Sequence, residues 1–188
     1  GTVGKSLRME ALKIRLTNAA MNGRSGGIQY RAHVQNIGWQ GWKQNGSSAG
    51  TTGKALRLEA VQIQLDGEIA QIYDVYYRVH VQNYGWLGWA KNGAVSGTSG
   101  FGYRMEAIQI QLVPKGWKAP GSTAHAYLKN YTNNDLTYSG HVQNVGNVAA
   151  VKGGATLGTV GKGRRLEGFS INLNDSADGL AKGSIQYR

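Results

Sequence analysis

Leu56-Arg57-Leu58-Glu59-Ala60-Val61-Gln62-Ile63-Gln64-Leu65 decides the fold class. Val61, Ile63 and Leu65 fall on one parity, and Gln62 and Gln64 on the other. That is the two-residue period of a strand with one buried face. Leu56 and Leu58 sit on the opposite parity, so the apolar phase slips at Glu59-Ala60, as a β-bulge would make it do. Past the turn pair Asp66-Gly67, a second segment runs Val75-Tyr76-Tyr77-Arg78-Val79-His80-Val81-Gln82-Asn83. The two segments are expected to form a hairpin. A third, short segment from Trp86 to Lys91 ends at Asn92-Gly93, a strong turn signal. No window sustains a helical period.

These segments recur. Gly1-Thr2-Val3-Gly4 returns at 50–53, 97–100 and 158–161. Arg8-Met9-Glu10-Ala11 returns as Arg57-Leu58-Glu59-Ala60, Arg104-Met105-Glu106-Ala107 and Arg165-Leu166-Glu167-Gly168. His-Val-Gln-Asn stands at 33–36, 80–83 and 141–144. The reading is four repeats, 1–49, 50–96, 97–157 and an incomplete 158–188, taken together as one compact domain. The third repeat carries a loop insertion between Pro114 and Gly140, at the surface where added chain costs least. The fourth stops at Ile185-Gln186-Tyr187-Arg188, matching Ile28-Gln29-Tyr30-Arg31, and the chain opens without Met. Both suggest a processed or longer parent, or a neighbouring molecule that completes the last repeat. The expected fold is all-β: three similar antiparallel units with pseudo-threefold symmetry, β-prism-like, with a β-trefoil as the alternative and a solenoid further off.

Composition narrows the chemistry. The 29 glycines and 2 prolines point to many tight turns. The absence of cysteine removes disulfides, thiolate metal sites and Cys nucleophiles. Nothing reads as a signal peptide or membrane span, so no membrane insertion is expected. The net charge of +11 attracts polyanions, but scattered basic residues weigh against nucleic acid. Four of the ten acids are the repeated Glu10, Glu59, Glu106 and Glu167, which is poor material for a catalytic dyad in unlike environments. The histidines lack metal-ligand spacing, and no Ser lies in a nucleophile elbow. The chain is therefore expected to have no enzymatic activity, metal or cofactor. Asn174-Asp175-Ser176-Ala177-Asp178-Gly179 lacks the acid that a calcium loop needs at its twelfth position, here Ile185, and reads as a turn.

The candidate site residues are Trp39, Trp42, Trp86 and Trp89, in Gly38-Trp39-Gln40-Gly41-Trp42 and Gly85-Trp86-Leu87-Gly88-Trp89. Beside them stand His33, Gln35 and Asn36, and His80, Gln82 and Asn83. The indoles are either stacking platforms for sugar rings or core residues under a turn. In the third repeat Asn147 and Ala150 replace both, so either one indole is dispensable to the core or the insertion, with Trp117, refills the space. His33 and Gln35 share a strand face, as do Arg8 and Glu10. The Arg/Glu pair reads best as a structural cross-strand ladder, while His and Gln stay open between ladder and polar floor.

In this order the motifs Gly-Thr-x-Gly, Arg-x-Glu-Ala, Ile-Gln-Ile-Gln-Leu, Tyr-Arg-x-His-Val-Gln-Asn-x-Gly-Trp and Trp-x-x-Asn-Gly resemble the clostridial hydrophobic repeat with a recurring tryptophan. The resemblance implies a secreted or surface-displayed bacterial protein. It also implies binding of polysaccharide or cell-wall polymer, acidic in view of the charge, and assembly of extracellular complexes. The leading expectation is a carbohydrate-binding surface module. The alternative is a self-assembling, homo-oligomeric repeat of a layer or fibre.

Overall fold

The structure, a computed structural model, describes residues 1–132 and 135–173. Residues 174–179 and 185–188, weighed above as a calcium loop and an unfinished repeat, lie outside them. The chain is nearly all β, and among the described residues its helices are two four-residue turns, α1 (Asn18–Met21) and α2 (Ile69–Ile72). The chain divides into two compact units, Gly1–Lys129 and a second beginning at Asn130.

The bulge is where the alternation places it. In the first unit β6 (Leu58–Asp66) runs antiparallel to β2 (Gly27–Val34) with His33 opposite Ala60 and Val34 opposite Leu58, which leaves Glu59 as the extra residue. Glu106 is skipped likewise between β7 (Tyr73–Val81) and β11 (Met105–Pro114). The bulge lets Leu58, Val61 and Ile63 all be fully buried despite their mixed parity.

The expected hairpin within a repeat is corrected. β6 and β7 are consecutive, yet β6 pairs with β2 and β7 with β11, in different sheets. The connection explains it. A tight two-residue turn would have kept the strands in register, but Asp66-Gly67 leads into α2, whose Ile69 is 0% exposed and anchors the turn in the apolar interior. Each histidine-bearing strand therefore pairs with the glutamate-bearing strand of the following repeat. In the second compact unit β13 (Leu136–Val142) does the same with β15 (Leu166–Leu173), and β14 (Gly146–Lys152) covers its other edge.

The Gly-Thr-x-Gly landmark is a docking point. In β5 (Ala49–Gly50) Gly50 pairs with Ala11 of β1 (Ala11–Leu12), and in β10 (Ser96–Ser99) Gly97 pairs with Ala60. Gly1 lies against Glu106 and Ala107, with the Thr2 N–H donating to the Glu106 carbonyl at 3.0 Å. A Cβ on Gly1, Gly50 or Gly97 would fall within 2.4 Å of a glutamate carbonyl oxygen, so only glycine fits. The start of the second repeat thus docks on the first, that of the third on the second, and that of the first on the third. The Leu58 N–H donates to the Met9 carbonyl, and the Met9 N–H to the Met105 carbonyl. Tyr30, Tyr77, Leu58, Val79 and Met105, all 0% exposed, make up the centre of this core.

Candidate functional site

Each tryptophan loop folds back on its histidine-bearing strand. In the first repeat β3 (Gly38–Trp39) and β4 (Lys43–Gln44) both pair with β2, Trp39 opposite His33 and Lys43 opposite Tyr30. The turn before β3 needs a left-handed residue, and Asn36 fills it at φ 61°, as Asn83 (67°) and Asn144 (56°) do in their repeats. The Gln35 side chain accepts from the Arg57 N–H at 3.5 Å. Asn36 is therefore a turn residue, and Gln35 ties that turn to the neighbouring strand.

The excursion between β3 and β4 brings Trp42 back over Trp39, and Arg31 lies between them. Its guanidinium carbon is 4.9 Å from the Trp39 ring centroid and 5.0 Å from that of Trp42. Arg78 repeats this at 5.0 Å from Trp86 and 4.8 Å from Trp89. Each guanidinium is oriented from the side by the glutamine opposite it in the ladder. Arg31 Nε donates to Gln62 Oε1 at 2.6 Å and Arg78 Nε to Gln109 Oε1 at 2.7 Å. A cation between two indole faces suits the ring quadrupole, at roughly 0.5–2 kcal/mol per contact depending on desolvation.

The histidines close the other side of the stack. His33 meets Trp39 edge-on at 5.4 Å, and its Nδ1 lies 3.2 Å from Glu59 Oε2; Arg57 contacts the same carboxylate at 2.8 Å. His80, Trp86, Glu106 and Arg104 form the same set. The bulge is what turns Glu59 and Glu106 toward the histidines. Burial of Glu59 works to raise its pKa, but hydrogen bonds from His33 and Arg57 outweigh it and hold the carboxyl below its usual range. The structure thus joins a glutamate and arginine of one strand with the histidine of the preceding repeat.

The four indoles are not equivalent. Trp42 is 38% exposed, Trp39 and Trp86 are half-buried, and Trp89 is 8% exposed. The insertion of the third repeat makes the difference. Ala119 packs near Trp89, the Ser122 carbonyl accepts the backbone N–H of Trp89 at 2.8 Å, and Gly121 sits over the indole nitrogen. Trp117 does not refill a core, since it is 69% exposed. Beside Trp86 the insertion leaves a cleft of about 510 Å³ lined by Arg78, Tyr84, Trp86, Ser122 and His125.

The sequence reading missed Arg31, Arg78, Gln62 and Gln109. The signal was present, because the third histidine-bearing strand, the loop after it and the glutamate-bearing strand paired with it change these positions together. Ser139 stands for the arginine, the facing Ser170 for the glutamine, and Asn147 and Ala150 for the tryptophans. There His141 meets Asn147, Nδ1 to Oδ1 at 2.9 Å, keeps Glu167 within 3.7 Å of its Nε2, and is half exposed. Residues lost together in one paired sheet act together in the others. Among the described residues no group of three or more His, Asp or Glu could hold a metal, and no helix is long and apolar enough to cross a membrane.

Comparison with known proteins gives one result. A family model described as Clostridial hydrophobic W matches residues 1–18, 33–67, 80–114 and 141–175. No curated protein and no solved structure matches the chain. Each of the three longer matches starts at a His-Val-Gln-Asn, takes in the last two residues of the histidine-bearing strand, and runs through the glutamate-bearing strand of the following repeat.

Proposed function

The chain belongs to the clostridial hydrophobic W family, and from that premise we propose that it is a non-catalytic module of the bacterial cell surface that binds carbohydrate or cell-wall polymer, preferentially acidic, through its tryptophan loops. One observation carries the reading. Trp42 offers an open indole surface directly on a guanidinium, so a sugar ring stacking there places its carboxylate or phosphate within reach of a fixed positive charge. The net charge of +11 supports the preference for an acidic polymer. In the second repeat the contact surface moves to the cleft beside Trp86, because the insertion covers Trp89. The docking of each repeat's opening on its neighbour, with the first closing on the third, supports a pseudo-threefold, β-prism-like arrangement within the first compact unit.

Affinity electrophoresis in gels containing an acidic or a neutral cell-wall polysaccharide tests the proposal. Retardation is expected in the acidic gel. Trp42→Ala should weaken it roughly tenfold, the equivalent of about 1.4 kcal/mol. Trp117→Ala, outside both stacks, should leave it within about twofold. Equal mobility of the native chain in all gels, or equal effects of the two substitutions, would defeat the reading.

A further inference from the structure

The second tryptophan loop borders a cleft where the first presents an open surface, and one wall of that cleft is packed main chain to main chain. The Gly88 N–H donates to the His125 carbonyl at 3.4 Å, and a Cβ on Gly88 would meet the Ala124 carbonyl oxygen at 2.0 Å. Its counterpart in the first repeat, Gly41, has nothing within 4 Å. Just beyond His125 the insertion forms β12 (Tyr127–Lys129), which pairs with the edge of β10 and anchors this wall. The cleft's 510 Å³ falls in the range of roughly 300–1,000 Å³ that encloses drug-sized ligands, so it has room for more than one sugar ring.

Tyr84 lines the same cleft and belongs to an aromatic group that no other sheet has. It follows its His-Val-Gln-Asn where Ile37 and Val145 follow theirs, and all three are exposed, at 48%, 50% and 48%. Isoleucine and valine serve that turn, so the turn does not need a ring. The Tyr84 ring lies 5.8 Å from both Phe101 and Tyr103, edge-on to the first, and those two stack on each other at 5.5 Å. Phe101 and Tyr103 stand where the neighbouring repeats have Lys54 and Leu56, and Lys162 and Arg164. The three rings therefore arise together. Tyr103 packs on the central core, so the two stacked rings brace Tyr84 before any ligand arrives.

We infer that this cleft is a chain-binding subsite that takes at least two linked rings of an acidic polysaccharide, one on Trp86 with its acidic group at Arg78 and the next on Tyr84. Phe101 and Tyr103 are positioning residues for Tyr84. The inference rests on the polymer reading above and separates the two loops: Trp42 receives a single ring, and the walled cleft reads a stretch of chain. Linking two ring contacts makes the second intramolecular, so the cleft gains affinity with ligand length while the open platform does not.

Calorimetric titration of the full chain carrying Trp42→Ala, which leaves the cleft to be read alone, tests this with galacturonic acid and its α-1,4-linked dimer. The dimer is expected to bind at least roughly tenfold more tightly than the monomer, well above the gain of about twofold from having a second ring to offer. Adding Tyr84→Ile, the residue of the first repeat, should bring the two ligands within about threefold of each other and leave the urea midpoint unchanged. Tyr103→Leu should lose most of the gain and Tyr103→Phe should keep it, with monomer affinity unchanged in both, a contrast that a purely structural role would not produce. Equal binding of dimer and monomer, no binding of either, or a gain that survives Tyr84→Ile would overturn the inference. The polymer reading then still stands if the native chain is retarded in the acidic gel, and falls with it if the native chain is not.

Discussion

Tyr77 shows how one side chain fastens a loop to the sheet. It is 0% exposed, and its hydroxyl donates to the Ala94 carbonyl past the Asn92-Gly93 turn. Tyr30 and Tyr138 reach the Ser47 and Ala155 carbonyls in the same way, each seventeen residues on. Burial pushes the Tyr77 phenol well above its ordinary pKa, so it stays a neutral donor at all physiological pH values. Tyr77→Phe removes the donor while leaving the ring, and strands a half-buried carbonyl. The expected cost is about 1–2 kcal/mol, read as a lower urea midpoint at unchanged slope. The arginines were as legible as this tyrosine, since both recur in Tyr-Arg-x-His. Their role was not, because a guanidinium's place between two rings depends on a loop folding back, and residue spacing does not reveal that.

Among the elements, the short β5 and β10 hold one repeat's opening against its neighbour's strand. Gly97 has φ 134°, and a Cβ there would meet the Glu59 carbonyl oxygen at 2.4 Å and the Ala60 Cα at 2.5 Å. Gly97→Ala therefore faces both backbone strain and a clash with main chain that cannot swing away. A loss of at least about 2 kcal/mol is expected in chemical denaturation, far above the few tenths usual for an exposed glycine in open surroundings such as Gly41. The hairpin misreading belongs to this scale too. Alternation identifies strands and even locates the bulge, but it is silent on which strand pairs with which. The deciding element was α2, four residues whose buried Ile69 carries the chain out of one sheet and into another.

For the whole molecule, buried carboxylates set the response to acid. Asp74 is 1% exposed; burial opposes its ionisation, but Lys91 at 2.7 Å and Asn92 at 2.7 Å hold its pKa below the ordinary value. Glu59 is depressed as well. Near pH 4 the unfolded chain takes up protons at these groups that the folded chain refuses, so acid favours unfolding. Their contribution is complete above their ordinary pKa values of 3.8 and 4.5 and is lost as pH falls through the lower folded values. Thermal melts should give a Tm that is level from neutral pH to about pH 5 and declines below about pH 4.5. Glu59→Gln should make that decline shallower. By itself the sequence determined the all-β class, the repeat and its bulge, the turn residues and the family, because these follow from local period and local backbone preference. Only the tertiary structure decided that sheets form between repeats, that arginine sits between the indoles, and that an insertion seals Trp89 while Trp42 stays open. Each of these depends on contacts between segments far apart in the chain, where many pairings satisfy the same alternation and the packing of side chains selects one.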